Sequence, residues 1–304
     1  MNKHLIDLND YSVEFWNEIL ELAHKIMENP ERYDNECSGK VLATLFYEPS
    51  TRTQMSFQAA MMRLGGSTVG FDNPGNCSVA KGESLKDTTK VISGYSDVLV
   101  IRHNVSGSAK EASLTSECPV INAGDGSNLH PTQTLADLLT LKEERGRLNN
   151  YTVGVCGDLK NGRTVHSLCK AMACYDYNKF VLISSPELAL PENLRDELED
   201  KGVQFSQAQT LAEALPELDV LYMTRIQAER IDDKNFDCST PKEFVLTAEK
   251  LKMARSDLAI LHPLPRVDEI TVDVDDDPRA LYFTQTTYGM YVRMALILKL
   301  ITDN

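Results

Sequence analysis

Three hydroxyl side chains and one arginine stand in a row where an apolar run gives way to a helical pattern. They are Ser50, Thr51, Arg52 and Thr53. The N-terminus of a helix has free N–H groups and a partial positive charge, so it attracts anions. The hydroxyls would add hydrogen-bond donors, and the planar guanidinium matches the oxygens of a phosphate. A capped helix with spare hydroxyls is the alternative, but four such residues together favour an anion site.

Further cationic and polar side chains follow other apolar runs. His130 and Gln133 lie three residues apart at a second predicted helix start, so both could face one ligand. Arg102 ends one apolar run, and Arg163 and Arg225 follow two others. Each residue alone is equally well explained as a surface or capping residue. Their repeated position just after apolar runs is the informative observation.

Two less regular segments also carry candidate residues. The polar loop 73–84 contains Lys81 beside a glycine, and such a loop is either a mobile lid or a plain surface loop. The turn His262–Arg266 contains two prolines, which fix its backbone and remove two N–H donors. Neither a Walker phosphate loop nor a Gly-x-Gly-x-x-Gly sequence occurs, which argues against ATP, GTP and dinucleotides as ligands.

The elements that must position these residues are short apolar runs that alternate with helical patterns. Strands are predicted over 40–46, 67–71, 97–102, 119–123, 151–156, 179–184, 219–224 and 258–262. Helices of clear periodicity are predicted over 13–27, 51–64, 131–145 and 288–302. This alternation predicts an α/β fold of two doubly wound domains, each with a central parallel sheet flanked by helices. Because ligands bind beyond the carboxyl ends of strands in such sheets, the candidate residues are expected at that edge.

Composition and charge narrow the class of ligand. The chain has 304 residues, of which 42% are apolar and 25% charged, as in an ordinary globular protein. Its formal net charge of −14 makes it a poor candidate for binding nucleic acid. In so acidic a chain, cationic residues gathered beyond the strands indicate an anionic ligand.

Cysteine usage and the lengths of apolar runs bear on the cellular setting. The seven cysteines include no Cys-x-x-Cys pair, so neither a disulfide framework nor a zinc site is expected. Free thiols fit the reducing cytosol, and a cytoplasmic protein is predicted. No apolar run approaches 18 residues and no signal peptide is visible, so no membrane partner is expected. No metal ion or cofactor is expected either.

Taken together and in order, these motifs resemble the transcarbamoylase family. Ser50–Thr53 with His130–Gln133 is similar to the family's carbamoyl-phosphate signature. Arg225–Gln227 and the stretch His262–Glu269 resemble its aspartate branch. Six motifs in sequence order, from Ser50 to the final predicted helix, make the resemblance specific. It implies transfer of a carbamoyl group from carbamoyl phosphate to L-aspartate, an early step of pyrimidine biosynthesis.

The resemblance also implies an organisation. Residues 1–133, completed by a C-terminal helix over 287–304, would bind carbamoyl phosphate, and 134–286 would bind aspartate. The chain would form a homotrimer with active sites between subunits, and the loop around Lys81 would reach into the neighbour's site. Members of the family work alone or with regulatory chains in a larger dodecamer. The stretch Leu261–Glu269 and the chain length resemble the forms with regulatory chains, which would then carry nucleotide feedback.

Residue assignments follow from the same resemblance. Eleven residues would bind carbamoyl phosphate: Ser50, Thr51, Arg52, Thr53, Ser78, Lys81, Arg102, His130, Gln133, Leu264 and Pro265. The predicted catalytic residues among them are Arg52, Thr53, Lys81, Arg102 and His130. The aspartate carboxylates would be held by Lys81, Arg163, Arg225 and Gln227. The family carries a serine four residues before the loop lysine, where this chain has Cys77, so Ser78 is expected to contact the phosphate instead.

In the implied mechanism, Arg102, His130 and Thr53 polarise the carbamoyl oxygen and stabilise the oxyanion. The amide of Gln133 orients the carbamoyl amino group together with two backbone carbonyls of the 262–266 turn. Fixed cations hold the two anionic substrates together, because two unit charges about 4 Å apart repel by about 4 kcal/mol at an effective dielectric of about 20. These cations are Arg52, Lys81, Arg102, Arg163 and Arg225.

Three alternatives stay open at this point. An ornithine carbamoyltransferase shares the phosphate half, but it has a cysteine where this chain has Pro263, and Arg225 would repel a cationic acceptor. A non-catalytic paralogue of the same fold is the second, although it would be expected to lose some of Arg52, Arg102 and His130. An unrelated nucleotide-binding α/β protein is the third.

Overall fold

The structure is a computed structural model that describes residues 4–126, 130–231 and 236–302. The chain divides into two compact units. Unit 1 is Met1–Leu139 with Thr286–Asn304, and unit 2 is Thr140–Gln285. The division falls at Leu139, whereas the sequence analysis places it after residue 133. Which ligand each unit binds stays a prediction.

Strands and helices alternate along the chain. The described strands are β1 Val41–Phe46, β2 Ser67–Phe71, β3 Val98–His103, β4 Val120–Asp125, β5 Thr152–Cys156, β6 Lys179–Ile183, β7 Gln204–Ala208, β8 Val220–Met223 and β9 Ala259–Leu261. The described α-helices are α1 Val13–Glu28, α2 Thr51–Arg63, α3 Leu85–Ser93, α4 Ser108–Thr115, α5 Pro131–Arg145, α6 Arg163–Met172, α7 Glu192–Glu199, α8 Leu211–Ala214, α9 Ala248–Leu251 and α10 Tyr282–Thr302. Of these helices, none is both long and apolar enough to span a bilayer.

Unit 1 is built on a four-stranded sheet in the order β2-β1-β3-β4, with every strand pair parallel. Every residue of β4 is buried, as expected for a strand covered on both faces. Apolar side chains of β1, β3 and β4 pack with Ala109 and Ala112 of α4 in one core cluster. The sheet is therefore a rigid support for the residues that follow its strands.

Unit 2 contains a five-stranded sheet in the order β7-β6-β5-β8-β9, again with every pair parallel. Its core cluster includes Cys156, Ile183, Leu221 and Ile260 from four of the strands. All strands within a parallel sheet end at the same edge, so the segments that follow them are neighbours. The predicted fold class, two parallel sheets flanked by helices, is confirmed.

Strand β7 is absent from the sequence-based prediction because it lacks an apolar run. Its sequence, Gln204-Phe205-Ser206-Gln207-Ala208, is mostly polar, and only Ala208 is buried. It pairs with β6 alone and forms one edge of the sheet, where polar side chains are tolerated. The other eight strands lie within two residues of their predicted bounds.

Helix α10 begins at Tyr282, six residues before the predicted start at 288. Its first turn contains aromatic and β-branched residues of low helix propensity, which hides the start from a pattern search. Tertiary contacts override that preference. Tyr282 is fully buried, and Oε1 of Gln285 accepts the N–H of His262 at 3.0 Å.

Two backbones in unit 2 approach so closely that a glycine is required. Gly157, directly after β5, has a φ of +119°, and a Cβ atom there would lie 2.0 Å from the backbone oxygen of Thr224. Because Thr224 directly follows β8, this approach sets the distance between the segments that leave the two strands.

We expect Gly157→Ala to lower the free energy of unfolding by at least about 3 kcal/mol, because a backbone clash adds to the conformational penalty of about 1–2 kcal/mol. Gly202→Ala is the matched control. Gly202 also has a positive φ, +84°, but no atom lies within 4 Å of its Cβ position. Only the conformational penalty of about 1–2 kcal/mol is expected there. Chemical denaturation followed by circular dichroism measures both, and equal losses would contradict the steric argument.

Candidate active site

The N-terminus of α2 lacks the side-chain cap that two other helices of unit 1 have. Ser12 and Ser84 cap α1 and α3, where each side chain accepts an N–H of the first turn and that turn carries a carboxylate. Ser50 holds the same position before α2 but makes no such hydrogen bond, and the first turn of α2 contains no acidic residue. The positive end of α2 is therefore suited to an external anion.

The hydroxyls at this helix start are gathered within one turn. Oγ of Ser50 donates to Oγ1 of Thr53 at 3.0 Å. Thr53 is buried, whereas Thr51 and Arg52 are exposed. The structure thus brings the four predicted phosphate ligands of this segment together at the end of the helix, as an anion site needs.

Arg102 fastens the segment that leads into α2 to the end of β3. Its side chain is 11% exposed, and its Nη2 pairs with Oε1 of Glu48 at 3.3 Å. Nη1 donates to the backbone oxygen of Ala123 in β4 at 3.3 Å. The backbone oxygen of Arg102 accepts the N–H of Tyr47 at 2.8 Å. The start of α2 and the guanidinium of Arg102 therefore share one edge of the sheet.

His130 reaches the same edge from the start of α5. Its Nε2 lies 3.5 Å from Nη1 of Arg102. A guanidinium can only donate, so a hydrogen bond across this contact would run from Nη1 of Arg102 to Nε2 of His130. The backbone oxygen of His130 accepts the N–H groups of Gln133 and Thr134 at 3.0 and 3.3 Å. His130 therefore directly precedes α5 and places an imidazole beside Arg102.

The side chain of Gln133 has a partner that no sequence motif reveals. Its Nε2 donates to Oδ1 of Asp137 at 2.8 Å, one helical turn further along α5. Asp137 is fully buried. The orientation of the Gln133 amide is thus set by a carboxylate from the interior of unit 1.

The loop that carries Lys81 forms short 3-10 turns. Lys81 ends the turn Ser78–Lys81 and is exposed, and Gly82 follows with a φ of +91°. Sγ of Cys77 donates to the backbone oxygen of Pro74 at 3.3 Å, within its own loop. The hydroxyl of Ser78 is on an exposed residue of the same turn as Lys81. The contact of Ser78 with phosphate stays a prediction.

In unit 2, Arg225 already holds a carboxylate. Its guanidinium, one quarter exposed, forms two hydrogen bonds with Glu229, one of them from Nη1 to Oε2 at 2.9 Å. The hydrogen bond with Glu229 raises the pKa of Arg225 above its usual value, and the same bond lowers the pKa of Glu229. Arg163, the first residue of α6, is buried. Both predicted carboxylate-binding arginines therefore follow strands of the unit 2 sheet.

Asp158 connects the two segments that carry these arginines. It is fully buried after β5, and its Oδ1 accepts the N–H of Asn161 at 2.9 Å. Its Oδ2 accepts the N–H of Gln227, after β8, at 3.1 Å. Sequence reasoning passed over Asp158, although its place in the turn between a strand and a helix was a usable signal. This carboxylate positions the backbone of the predicted aspartate ligand Gln227.

The proline turn after β9 is fixed by a buried network. His262 and Glu269 are each 1% exposed, and Nε2 of His262 lies 2.6 Å from Oε1 of Glu269. Nδ1 of His262 accepts the N–H of Leu264 at 2.7 Å. The peptide bond between Leu264 and Pro265 is cis. The backbone carbonyls predicted to face the carbamoyl group therefore belong to a rigid turn.

Glu269 completes this network as a charged group. Burial alone would raise its pKa, but hydrogen bonds from His262 and from backbone N–H groups keep the pKa below its usual value. Its Oε2 accepts the N–H groups of Val267 and Asp268 at 3.0 and 3.1 Å. Arg266, in contrast, pairs with Asp275, with Nη2 and Oδ2 2.6 Å apart, so the structure uses it to hold the turn.

The predicted residues fall into two groups. Unit 1 holds Ser50, Thr51, Arg52, Thr53, Ser78, Lys81, Arg102, His130 and Gln133. Unit 2 holds Arg163, Arg225, Gln227, Leu264 and Pro265. Within the described ranges, no cluster of three His, Cys, Asp or Glu side chains could hold a metal ion. The arrangement in each unit is one of hydrogen-bond donors and cations suited to anions.

Two family models match the chain. The carbamoyl-phosphate-binding domain of aspartate/ornithine carbamoyltransferases matches residues 3–143, and their Asp/Orn-binding domain matches residues 149–300. The aspartate carbamoyltransferase catalytic subunit of Clostridium novyi (strain NT) is 53% identical over 299 residues, which is 98% of each chain. That of Clostridium perfringens (strain SM101 / Type A) is 54% identical over 303 residues, which is 99% of each chain.

Solved structures agree with these sequence matches. The catalytic subunit of M. jannaschii aspartate transcarbamoylase superposes with a TM-score of 0.91 and 46% identity, covering 100% of this chain and 99% of that one. The Trypanosoma cruzi enzyme in complex with N-(phosphonacetyl)-L-aspartic acid gives 0.90 and 36%, covering 97% and 94%. The chain belongs to the aspartate/ornithine carbamoyltransferase family.

Proposed function

We propose that the chain transfers the carbamoyl group of carbamoyl phosphate to the amino group of L-aspartate, giving N-carbamoyl-L-aspartate and phosphate. The observation that carries this proposal is the uncapped start of α2 beside Arg102 and His130, whose Nη1 and Nε2 atoms are 3.5 Å apart. This edge of unit 1 offers a place for a phosphate and, next to it, donors for a carbonyl oxygen. The names of the relatives favour aspartate over ornithine as the acceptor.

The phosphate group would lie at the N-terminus of α2. Carbamoyl phosphate carries about two negative charges, which the helix end and the guanidinium of Arg52 would offset. The hydroxyls of Ser50, Thr51 and Thr53 would add hydrogen-bond donors. Because hydroxyls are uncharged, removing them from water costs less than removing further cations. Because Ser78 and Lys81 lie on an exposed turn, we propose that they act on the phosphate of a neighbouring subunit.

The carbamoyl oxygen would accept hydrogen bonds from Arg102, His130 and Thr53. Negative charge grows on this oxygen as the amino nitrogen of aspartate attacks the carbon, and donors fixed in advance stabilise that charge without reorganisation. The guanidinium of Arg102 is held in place by its contacts with Glu48, Ala123 and His130. The bond from the carbamoyl carbon to the phosphate oxygen then breaks, and phosphate leaves with the proton that the attacking nitrogen loses. No covalent enzyme intermediate is needed.

The two carboxylates of aspartate would be held by Arg163, Arg225 and Gln227, with Lys81 of the neighbouring subunit. The pair Arg225–Glu229 supports this role, because it is a carboxylate bound to Arg225 through two contacts. A substrate carboxylate would displace Glu229 or share the guanidinium with it. Most of the rate acceleration would then come from positioning and preorganised charge.

We propose a homotrimer. Helix α2 exposes Met55 and Met62, which are 61% and 57% accessible, and the edge strand β2 exposes Val69. An edge strand beside exposed apolar side chains is typical of a subunit contact. A contact there would involve the same helix whose N-terminus is proposed to bind phosphate, which fits a site shared between copies.

We further propose that regulatory chains bind the trimers and make the enzyme allosteric. Helices α3 and α4 contact each other and, with the residues after α3, expose Val91, Tyr95 and Leu114. This second apolar surface in unit 1 supports a protein partner. The proposed setting is the cytoplasm, at an early step of pyrimidine biosynthesis, and the seven free cysteines fit a reducing compartment.

The acceptor is tested by giving the purified chain carbamoyl phosphate with aspartate, with ornithine or with no acceptor. We expect carbamoylated product in the aspartate reaction alone, because Arg225 and Arg163 favour an acceptor with two carboxylates. Product is measured by a colorimetric end-point assay. Product with ornithine would contradict the assignment of the acceptor residues, and a folded chain without any product would contradict catalysis.

We expect Arg52→Ala to lower kcat/KM by about 100- to 1000-fold, the cost of removing one strong donor to a developing anion. Arg63→Ala is the matched control, since Arg63 is an exposed arginine in the last turn of the same helix. For both variants, kcat/KM is measured by steady-state kinetics, and phosphate binding is measured by inhibition with inorganic phosphate. Near-normal turnover of a folded Arg52→Ala chain, or an equal loss in Arg63→Ala, would refute the phosphate assignment.

We expect Asp158→Asn to raise the KM for aspartate about tenfold, because an amide offers one acceptor oxygen to two backbone N–H groups and Gln227 loses its anchor. Inhibition by inorganic phosphate should not change, since Asp158 lies in the other unit. Asp176→Asn makes the same charge change at an exposed residue of unit 2 and serves as the control. An unchanged KM for aspartate would contradict the proposal that Asp158 positions Gln227.

A further inference from the structure

The hydrogen bond between Gln133 and Asp137 fixes which end of the Gln133 amide faces Asp137. Nε2 of Gln133 lies 2.8 Å from Oδ1 of Asp137, and the carboxylate of Asp137 is fully buried in unit 1. An ionised carboxylate accepts hydrogen bonds and cannot donate them. It therefore selects the nitrogen end of the Gln133 amide, and the oxygen end, Oε1, must face away from Asp137.

This orientation matters because the two ends of an amide are nearly equal in shape and opposite in hydrogen bonding. A carbamoyl group ends in an amino group, which donates. Oε1 of Gln133 would accept from it, whereas Nε2 would present a second donor and repel it. A free glutamine would populate both orientations, so a residue that removes one of them favours binding of the carbamoyl group.

A fully buried carboxylate needs a compensating charge to stay ionised, and α10 supplies one. Arg293 is 5% exposed. Burial lowers its pKa to about 10, and the negative charge of Asp137 opposes that shift. Its guanidinium lies 5.2 Å from the centre of the Phe57 ring, a cation–π contact with α2.

Gly289, one turn earlier in α10, makes room for this arginine. A Cβ atom at Gly289 would lie 2.6 Å from Nη1 of Arg293 and 3.4 Å from Cβ of Ala136, the residue before Asp137. The helix is therefore shaped to admit a buried cation beside α5. A guanidinium placed so is a buried charge beside the helix that carries Asp137.

We propose that Asp137 is a positioning residue that fixes the amide of Gln133 with Oε1 towards the carbamoyl amino group, and that Arg293 keeps Asp137 ionised. This inference rests on the proposed function. Asp137 then sets the preference of the protein for a carbamoyl group over an acetyl group, which has the same shape but carries a methyl in place of the amino group.

The test compares binding of carbamoyl phosphate, acetyl phosphate and inorganic phosphate, measured by calorimetry. We expect Asp137→Leu to lower the preference for carbamoyl over acetyl phosphate about tenfold, the value of one hydrogen bond, and to leave inorganic phosphate binding unchanged. Asp137→Asn should keep part of the preference, because its side-chain oxygen still accepts from Nε2 of Gln133. Thr134→Val, a buried change on the same helix, should keep all of it.

A double-mutant cycle separates positioning from a general structural effect. If Asp137 acts through Gln133, Asp137→Leu should cause no further loss of preference in a Gln133→Leu background. Additive losses, or equal weakening of all three ligands by Asp137→Leu, would overturn the proposal. If Asp137→Leu does not fold, the same double-mutant cycle is measured with Asp137→Asn, which keeps the volume of the side chain.

Arg293→Met tests the source of the charge. Without the buried cation, Asp137 takes up a proton, and its O–H can donate to Oε1 of Gln133 and turn the amide over. We expect the same loss of preference as in Asp137→Leu, and a retained preference in folded Arg293→Met would overturn the part assigned to Arg293. A parent chain that binds neither organic phosphate would instead refute the proposed function, so the two failures are distinguishable.

Discussion

The guanidinium of Arg102 holds three segments of unit 1 at the edge where its parallel strands end. It contacts Glu48 before α2, the backbone of Ala123 in β4 and the ring of His130 before α5. A planar group with five fixed donors can do this where a flexible lysine cannot. The helix start that is proposed to bind phosphate and the side chains that are proposed to polarise the carbamoyl oxygen are thus held together. The parallel sheet beneath them brings these segments to one edge.

Arg225 and Arg102 each pair with a glutamate of the same chain, but the two pairs differ in their exposure to solvent. The pair Arg225–Glu229 is largely open to solvent, with side chains 25% and 55% exposed. Such a pair is worth about 0–1 kcal/mol, so exchanging Glu229 for a substrate carboxylate costs little. Arg102 is more enclosed and has several partners, and breaking its contacts would leave a desolvated charge. Arg225 is therefore suited to exchange its partner, whereas Arg102 is suited to keep its own.

Local pattern predicted most of the fold because the strands of a parallel sheet are apolar along their whole length. Strand β7 was not predicted because it lies at a sheet edge and its sequence is polar. The start of α10 was not predicted because it depends on contacts between residues that are distant in sequence. Residue type and position after a strand also predicted the cations and hydroxyls of the candidate site. The carboxylates that orient them could not be predicted in this way. Asp137 sits in an ordinary helical pattern, and Asp158 meets Gln227 across 69 residues of sequence.

The missing side-chain cap of α2 links the stability of this helix to the anion that is proposed to bind there. A serine cap is worth about 1 kcal/mol to a helix, and Ser50 spends its hydroxyl on Thr53 instead. A bound phosphate would satisfy the N–H groups that the serine leaves open, and any ligand that binds only the folded state raises its stability in proportion to the logarithm of its concentration. Unit 1 would then be stabilised by the anion that is proposed to bind there, so its resistance to heat and to proteases would rise with the concentration of that anion.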